Sequence, residues 1–487
     1  MTKVLKNLVN GIWRETKKYD KVLHVLNGNI NHKVPHTTKS ELTPFIQSMQ
    51  STPKSGLHNP YKNPERYLML GDVCFHTAHS LHNKTIQARI IDEIIAVTGK
   101  TEQQAQGELV VSRKFLENFS GDQVRFLAKG FTTPGDHHGQ MCNGLRWPYG
   151  SVAIVSPFNF PLEIPLLQLM GSLFMGNKPL LKVDSRVSIV MDSILKLMHQ
   201  NGLPEKDVDF IHCNGKVMQH LLMESKPRLT QFTGSTKVAE SLSQKLHGKV
   251  RIEGGGFDWK IVGPKQDMDP ETVYNICNKD AYAFSGQKCS AQSLLFIHKS
   301  WNMQGFHHHL EKLASQETMG PIITLNSSQI IDHVNQLLEI EGSQLWFGNI
   351  EKYRDTIPSH LGFIEPTAVY IPLEQINESN IDLVTKEIFG PVQVITSYDD
   401  IDKVLSICEQ IDDHLTAAVV SNDPTFVNHV LGHSVNGTTY VGEKARTTGA
   451  PQNHWFGPCG DPRSAGIGSP EAIIQTWSCH REVIQDE

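Results

Sequence analysis

Between residues 151 and 256, short apolar stretches alternate with amphipathic ones, and this alternation constrains the fold more than any other feature of the chain. The predicted strands are SVAIVS, KPLLKV, VDFIHC, RLTQFTG and VRIEGGG, and a helical segment separates each from the next. Strands connected in this way form a parallel sheet through right-handed crossovers, with helices on both faces. A ligand of such a sheet binds beside the carboxyl ends of the strands.

The remainder of the chain divides into regions of different character. A hairpin is predicted near Leu8–Trp13, and residues 64–119 have the three- and four-residue apolar spacing of helices. Residues 130–150 are rich in glycine without a helical period, which predicts an extended hairpin arm of the kind that joins subunits. A second α/β region is expected to begin near Asp269, and the terminal segment IIQTWSCHREVI is predicted to be a last strand.

Bulk properties exclude several classes of function. A chain of 487 residues is expected to form two or three domains, and its net charge of -6 disfavours a nucleic-acid partner. The 8 cysteines form no C-x-x-C and the 24 histidines no H-E-x-x-H, so no metal site is predicted. No run reaches the roughly 18 apolar residues that would span a membrane. The basic N-terminal segment lacks serine and is interpreted as mature protein.

Cys289 lies in the run FSGQKCSAQS, among small and polar residues where a buried structural cysteine is unusual. It follows Lys288 and a glycine turn, and it precedes the predicted strand SLLFIH. A nearby cation or a cluster of main-chain N–H groups favours the nucleophilic thiolate, so the stretch predicts a reactive thiol. A loop cysteine without a role is an equally good reading of this stretch alone.

Two polar residues at strand ends are candidates for acid–base and oxyanion chemistry. Asn159 follows the first strand between Pro157 and Pro161, where its amide has a fixed direction and can stabilise an oxyanion. Glu253 ends the last strand of the series before three glycines, and a buried carboxylate there can serve as general base. The structural alternatives are a helix-capping asparagine and a strand-end acid beside a turn.

Several residues after strands are candidates to hold a nucleotide. Lys182 ends a strand, where an ammonium group can bind ribose hydroxyls or phosphate. Gly234 and Ser235 lead into a helix whose N-terminus offers N–H groups to a pyrophosphate. Glu387 can accept hydrogen bonds from a diol, and Phe389 can pack against a flat ring. Each has a structural alternative, namely a surface lysine, an ordinary turn, a salt-bridged glutamate and a core phenylalanine.

The order of these motifs along the chain resembles that of the aldehyde dehydrogenase superfamily. The matching strings are SPFNFP, LLKV, FTGS, E-x-G-G, GQ-x-C and E-x-FGP, and they extend over nearly the entire chain. The resemblance implies an α/β fold with a Rossmann-type parallel-sheet cofactor domain, an α/β catalytic domain and a β-arm for oligomerisation. It implies NAD as cofactor, Cys289 as nucleophile, Asn159 as oxyanion donor and Glu253 as base. The implied cofactor contacts are Ser156, Phe158, Lys182, Ser185, Gly234, Ser235, Glu387 and Phe389.

Longer strings narrow the resemblance to the plant-type 1-pyrroline-5-carboxylate dehydrogenases of proline catabolism. These strings are RKFLENF-x-GDQVRFLA, NFPLEIPLLQLMG, FDWK, SGQKCSAQS and TTGAPQNHWFGP. The implied reaction is oxidation of L-glutamate γ-semialdehyde to L-glutamate through a cysteine thiohemiacetal and thioester. The implied contacts to the substrate carboxylate are Ser290 and the loop residues Gly457, Pro458 and Cys459. The alternatives are a dehydrogenase for another semialdehyde, such as succinate semialdehyde, and a non-catalytic NAD-binding relative.

The same resemblance implies a domain division, an assembly and a location. Residues 1–129 and 149–262 are expected to form the NAD-binding domain and 263–455 the catalytic domain, with 130–148 and 456–487 as oligomerisation arm and C-terminal segment. At least a homodimer is expected, in the mitochondrial matrix, with the cytoplasm as the alternative. Ser185 stands where many NAD-preferring relatives have a glutamate, so the choice of NAD over NADP comes from the narrower family.

Overall fold

A computed structural model of the chain describes residues 2–325, 327–349, 361–449 and 451–486. The predicted catalytic domain and the string TTGAPQNHWFGP each include residues outside these ranges. The N-terminal region forms a small sheet and a hairpin before its first helix. Its elements are β1 (Lys3–Val4), β2 (Asn7–Val9), β3 (Ile12–Arg14), β4 (Tyr19–Leu23), β5 (Ile30–Pro35) and α1 (Thr43–Ser51). The predicted hairpin is confirmed, since Leu8 of β2 pairs with Trp13 of β3.

Three helices follow, as the spacing of apolar residues predicts. They are α2 (Glu65–Ser80), α3 (Lys84–Thr98) and α4 (Glu102–Asn118). The side chain of Asn83 caps α3, and Thr101 forms a capping box with Gln104 at the start of α4. Their apolar faces share one core with two later helices, Glu163–Phe174 and Ile189–Gln200, so these helices cover one side of the sheet described next. Within the described ranges, no helix is long and apolar enough to cross a membrane.

The alternating segments after residue 150 form the first large sheet. Its strands and intervening helices are β8 (Ser151–Ser156), α5 (Glu163–Phe174), β9 (Lys178–Val183), α6 (Ile189–Gln200), β10 (Asp209–Phe210), α7 (Gly215–Ser225), β11 (Leu229–Thr233), α8 (Thr236–Lys245) and β12 (Val250–Glu253). The 7-stranded sheet has the order β12-β11-β8-β9-β10-β2-β3, and β8 to β12 are parallel, as predicted. The N-terminal hairpin extends one edge in antiparallel pairing.

Both faces of this sheet are buried, as successive side chains of β8 show by entering two different cores. Val152 and Ile154 point into the core beneath α2 to α6, whereas Ala153 points into a second core with α1, α7 and α8. Successive side chains of a strand point to opposite faces, so a strand covered on both sides is apolar throughout. This two-sided burial explains why the predicted strands are continuous apolar runs rather than alternating ones.

A second 7-stranded sheet carries the predicted second α/β region, in the order β15-β16-β17-β14-β13-β18-β19. Its elements are β13 (Asp258–Val262), α9 (Pro270–Tyr282), β14 (Gln292–His298), α10 (Met303–Ala314), α11 (Ser327–Leu338), β15 (Gln344–Phe347), β16 (Thr367–Tyr370), α12 (Ile381–Val384), β17 (Val392–Tyr398), α13 (Ile401–Cys408), β18 (Thr416–Val420), α14 (Pro424–Gly432) and β19 (Thr438–Val441). All neighbouring strands are parallel except β15 and β16.

The change from one sheet to the other occurs earlier than the boundary predicted at residue 262. Strand β13 pairs with β14 and β18 of the second sheet, so the chain crosses between Glu253 and Asp258. The sequence did not reveal this crossing, because FDWKIV resembles a strand equally well in either sheet. We therefore place the division between the two sheets within residues 254–257.

The predicted arm is a 3-stranded antiparallel sheet of order β20-β7-β6, formed by β6 (Phe131–Pro134), β7 (Met141–Pro148) and β20 (Ser478–Gln485). The prediction of one last strand over IIQTWSCHREVI is wrong in its first half, which belongs to helix α15 (Pro470–Trp477). Ser469 caps this helix and proline occupies its first turn. Ala472, Ile473, Thr476 and Trp477 are buried, which is the spacing of a helix packed by one face.

Candidate active site

The carboxyl ends of four parallel strands bring the predicted polar residues to one edge of the first sheet. Ser156 at the end of β8 pairs with Val183 of β9, and Thr233 at the end of β11 pairs with Glu253 of β12. The register of a parallel sheet aligns these ends, so residues up to about one hundred positions apart in sequence become neighbours. This edge faces the second sheet, whose first strand begins five residues after Glu253.

Cys289 lies opposite this edge, in a loop that an unusual backbone conformation holds in place. Phe284, Ser285 and Gly286 all have positive φ angles (59°, 53° and 67°), which only glycine adopts without strain. The Ser285 hydroxyl donates to the carbonyl of Gly320 and accepts from its N–H, at 3.0 and 2.9 Å. The Gln287 amide bridges the same segment by donating to the Pro321 carbonyl at 2.9 Å. These bonds offset the strain and fix the loop before Cys289.

Two cavities meet at Cys289, which is 9% exposed. One, of about 280 Å³, lies against the strand ends of the first sheet and also contacts Asn159, Gly234 and Glu387. The other, of about 230 Å³, runs between α4, the start of α5 and the loop after β19. A thiol at the junction can react with a molecule that enters from one side while a second molecule occupies the other.

The pKa of the Cys289 thiol is raised well above its usual value, contrary to the expectation from Lys288. Burial is the main cause, followed by the negative charges of Glu253, Asp258 and Glu387. Burial also lowers the pKa of Lys288, so this lysine stabilises a neighbouring thiolate less than an exposed lysine would. The protein without a ligand therefore holds Cys289 as a neutral thiol, and a base must remove the thiol proton before the sulfur can attack.

Glu253 is the carboxylate best placed to be that base. It is fully buried, and burial raises its pKa to about 7. Its Oε2 atom accepts a hydrogen bond of 3.4 Å from Thr233, which in turn accepts one of 2.8 Å from Gln168. Its Oε1 atom has no hydrogen-bond partner among the described residues. A carboxylate that titrates near neutral pH and has a free oxygen can take a proton from a thiol or from water.

The alternative role of Asn159 as a helix cap does not agree with the structure. The cap position of α5 is Leu162, and the N–H groups of Leu162 and Glu163 instead donate to the carboxylate of Glu108, at 2.8 and 3.1 Å. Asn159 is 1% exposed, and its Oδ1 atom has no partner among the described residues. An amide fixed in the same cavity as Cys289 is suited to stabilise an oxyanion on a carbon bonded to sulfur.

The first cavity fits a nucleotide at several of the predicted positions. Ser235 precedes helix α8 without capping it through its side chain, so main-chain N–H groups at the helix start remain available to a phosphate. The rings of Phe158 and Phe389 meet edge to face at 5.7 Å and form an apolar wall. The absence of a side chain at Gly255 lets the Glu387 carboxylate lie close to the main chain there, since a methyl group at this position would collide with that carboxylate. The Gly256 N–H donates to Glu387 at 3.3 Å.

The other predicted cofactor residues lie beside this cavity rather than in its wall. Lys182 is partly buried at the end of β9, and among the described residues its ammonium group donates only to the carbonyl of Val183, at 3.5 Å. Ser185 follows on the same strand end, next to an ion pair between Asp184 and Arg186 at 2.8 Å. Ser156 is buried, and its hydroxyl has no partner among the described residues. An extended nucleotide can reach these residues from the cavity along the strand ends.

The second cavity receives only one of the four predicted substrate residues. Ser290 contacts it, but Gly457, Pro458 and Cys459 do not. Phe456, which contacts the cavity, forms an antiparallel bridge with Ile467 just before these three residues. Cys459 is exposed, and its N–H donates to the carbonyl of His414 at 3.2 Å. The sequence pattern located the loop but not the face that it presents to Cys289, which comes from Thr448, Gly449, Pro451 and Phe456.

A group of charged residues in this second cavity was not predicted from the sequence. Lys100 and Glu108 form an ion pair of 2.6 Å whose two side chains are 1% and 0% exposed. Glu163, the first residue of α5, lies next to this pair and is 7% exposed. The positions of Glu108 and Glu163 within apolar helical segments were a usable signal, because an acid in a buried helix rarely lacks a partner or a role.

Comparisons with known proteins agree with this geometry. The model of the aldehyde dehydrogenase family matches residues 17–469. A mitochondrial Δ1-pyrroline-5-carboxylate dehydrogenase (12A1) of Arabidopsis thaliana is 54% identical, over 99% of this chain and 88% of that protein. A probable aldehyde dehydrogenase of Linum usitatissimum is 52% identical, over 99% of this chain and 88% of that protein.

Solved structures share the fold at low sequence identity. A methylmalonate-semialdehyde dehydrogenase of Oceanimonas doudoroffii has a TM-score of 0.84 at 19% identity, over 100% of this chain and 98% of that one. The aldehyde dehydrogenase 21 of Physcomitrella patens, solved with the product succinate, has a TM-score of 0.82 at 18% identity, with the same coverage of both chains. Sequence and fold lead to one conclusion: the chain belongs to the aldehyde dehydrogenase family.

Proposed function

We propose that the protein oxidises L-glutamate γ-semialdehyde to L-glutamate with NAD, the last step of proline catabolism. The observation that carries this proposal is the position of Cys289 at the junction of two cavities, with Asn159 and Glu253 beside it. The substrate class follows from the 54% identical relative, which is a 1-pyrroline-5-carboxylate dehydrogenase. 1-Pyrroline-5-carboxylate is the cyclic form that opens by hydrolysis to the semialdehyde.

In the first half of the reaction, the Cys289 sulfur forms a bond to the aldehyde carbon. Glu253 accepts the thiol proton, because the thiol is neutral in the free enzyme and this carboxylate ionises near neutral pH. The carbonyl oxygen becomes an oxyanion that the Asn159 amide and the Cys289 main-chain N–H stabilise. Collapse of this thiohemiacetal expels a hydride and leaves a thioester on Cys289.

The hydride needs an acceptor, which NAD would supply when it is bound in the first cavity. The residues that would hold it are Phe158, Gly234, Ser235, Glu387 and Phe389 in the cavity wall, together with Ser156, Lys182 and Ser185 along the strand ends. Burial raises the pKa of Glu387 to about 8, so this carboxyl is largely protonated at neutral pH when no ligand is bound. A hydrogen-bonded diol would stabilise its ionised form.

Before the second half, Glu253 releases the thiol proton to solvent and is a carboxylate again. Water then attacks the thioester carbon while Glu253 removes a proton from that water. The bond between carbon and sulfur breaks, Glu253 returns this proton to the Cys289 sulfur, and the carboxylic acid leaves. Glu253 serves both halves of the cycle, so its ionisation sets the pH dependence of turnover. Thr233 and Gln168 position its second oxygen through their hydrogen bonds.

The substrate α-carboxylate is proposed to bind in the second cavity, where Ser290 follows the nucleophile and Lys288 supplies a positive charge. Gly457, Pro458 and Cys459 do not line this cavity, and their contact with the substrate stays a prediction. The carboxylate is thereby held at the far end of a chain whose aldehyde reaches Cys289. This distance selects for semialdehydes over simple aliphatic aldehydes.

Steady-state formation of reduced cofactor tests the proposal. The wild-type enzyme should have a higher kcat/KM for 1-pyrroline-5-carboxylate than for succinate semialdehyde or propanal, and should use NAD better than NADP. A preference for succinate semialdehyde would assign the site to another semialdehyde. No turnover of any aldehyde, with NAD still bound, would identify a non-catalytic relative.

We also propose the assembly, the domain division and the location implied by the family. The arm sheet exposes Phe131, Met141 and Ile484 (54%, 40% and 56%), and burial of such a surface in a partner would join at least two copies. The family implies residues 1–129 and 149–262 as the cofactor domain and 263–455 as the catalytic domain. Because β13 pairs within the second sheet, we propose residues 254–257 as the division between the two. The matrix location rests on the mitochondrial relative. Light scattering of the purified protein and imaging of a fluorescent fusion test assembly and location.

A further inference from the structure

The second cavity is lined by more charged side chains than the proposed reaction requires. Cys289 and Ser290 form its inner end, and its walls carry Lys100, Glu108, Glu163 and Lys288. The ion pair between Lys100 and Glu108 is almost completely buried. Burial of such a pair costs nearly as much free energy as its attraction returns, so fold stability is a weak reason for its presence. Charges that face a cavity beside a nucleophile are better explained by a charged ligand.

Lys100 is held firmly where it lies. Its ammonium nitrogen is 3.8 Å from the centre of the Phe160 ring and 4.7 Å from that of Phe284, in addition to its contact with Glu108. Cation–π attraction and the ion pair act in the same direction. Both oxygens of the Glu108 carboxylate also have partners. One contacts Lys100, and the other accepts hydrogen bonds from the two N–H groups at the start of α5. This pair is therefore already neutralised and positions the start of α5.

Glu163 differs from its neighbours because its carboxyl group makes no hydrogen bond to any residue within the described ranges. It is 7% exposed and contacts the cavity directly. The charged groups that face it are Glu108 and Lys100 from α4 and the preceding turn, Glu253 from the first sheet, and Lys288 from the nucleophile loop. Burial and the charge of Glu108 raise its pKa to about 8. An unpaired buried carboxyl is costly unless a ligand provides the missing partner.

The proposed substrate carries such a partner. L-Glutamate γ-semialdehyde has an α-ammonium group next to its α-carboxylate, at the end of the molecule that points away from Cys289. We propose that Glu163 binds the α-ammonium group of the substrate and thereby makes the enzyme selective for amino semialdehydes. This inference rests on the proposed function. Since the ammonium group favours the charged carboxylate, ligand binding at neutral pH releases a proton from Glu163.

A matched pair of substrates and a matched pair of variants test the inference. 5-Oxopentanoate is identical to L-glutamate γ-semialdehyde except that it lacks the amino group. In Glu163→Gln, kcat/KM for the amino semialdehyde should fall about 10- to 100-fold, the range for loss of a charged hydrogen bond, while that for 5-oxopentanoate stays the same or rises. The control Glu102→Gln removes an exposed carboxylate at the start of α4 and should leave both values unchanged.

An equal loss for both substrates in Glu163→Gln, or no loss for either, would overturn the inference. The rates of the wild-type enzyme test the proposed function separately, since a failure there appears before any variant is made. If the variant does not fold, calorimetry of the wild-type enzyme decides. L-Glutamate should release most of one proton per site on binding at pH 7, measured in buffers of different ionisation enthalpy, and glutarate should release none. Equal proton release by the two ligands would contradict the role of Glu163.

Discussion

Replacement of Glu253 by glutamine should make the protein more stable and less active, and the gain in stability should depend on pH. The carboxyl is fully buried, and burial raises its pKa from 4.5 to about 7. Between these values the folded protein retains a proton that the unfolded chain has lost. The free energy of unfolding therefore falls as pH rises through this window, and the loss is complete above about pH 7.

The size of the effect follows from the difference between the two pKa values. That difference, 7 minus 4.5, multiplied by about 1.4 kcal/mol per pKa unit, gives a maximum penalty of between about 3 and 4 kcal/mol in the wild-type protein. At pH 5.5 only about 1 kcal/mol of this penalty is present, because the folded carboxyl keeps its proton and this pH lies only one unit above the pKa of the unfolded carboxyl. Glutamine has a similar shape and does not titrate, so Glu253→Gln escapes the penalty at every pH.

Urea unfolding of wild type and Glu253→Gln at pH 5.5 and pH 8.5, at one protein concentration, measures this difference. The advantage of the variant should grow by about 2 kcal/mol between the two pH values, and any constant effect of the amide cancels from that comparison. The exposed control Glu102→Gln should show no such growth. An advantage that is equal at both pH values, or larger at pH 5.5, would show that Glu253 is not a buried carboxyl with a raised pKa.

Three further predictions concern the reaction. The kcat of the wild-type enzyme should rise with pH through about 7, because ionised Glu253 is the base, and a flat profile from pH 6 to 8.5 would contradict that role. Asn159→Ala should lower kcat about 100- to 1,000-fold through loss of an oxyanion donor, with little change in the affinity for NAD; a loss below threefold would leave Asn159 without this function. Gly255→Ala should raise the KM for NAD at least about tenfold, because its methyl group displaces Glu387, and Gly432→Ala, at a site open to solvent, is the control. An unchanged KM for NAD in both glycine variants would contradict the assignment of Glu387 as a cofactor contact.

The fold was predictable to a large extent because its main signals are local. Each strand of the first sheet is an apolar run bounded by turn residues, and β8 to β12 appear in the structure where those runs lie. The parallel topology then placed Asn159, Gly234 and Glu253 at one edge without further information. The predictions were wrong where a short apolar pattern is compatible with two different structures. FDWKIV suits either sheet, and IIQTW, read as a strand, becomes a helix because Ser469 and Pro470 initiate it.

The electrostatics of the site were not predictable, because they depend on residues far apart in sequence. Lys288 suggested an activated thiolate, yet burial raises the pKa of the Cys289 thiol, and four carboxylates from other parts of the chain raise it further, namely Glu253, Asp258, Glu387 and Glu163. The same applies to the second cavity, where Lys100 and Glu163 meet only after folding. A sequence string shows which residue types are present in a loop, but not which of them face the nucleophile, as Cys459 illustrates.

Formation of NADH from 1-pyrroline-5-carboxylate by wild type and by Cys289→Ala tests the central claim most directly. The wild-type enzyme should form one NADH for each L-glutamate produced. The variant should lose at least about 1,000-fold in kcat, because no other described side chain in the two cavities can form the thioester, and calorimetry should show that it still binds NAD. Turnover by Cys289→Ala within tenfold of wild type would contradict the assignment of Cys289 as the nucleophile.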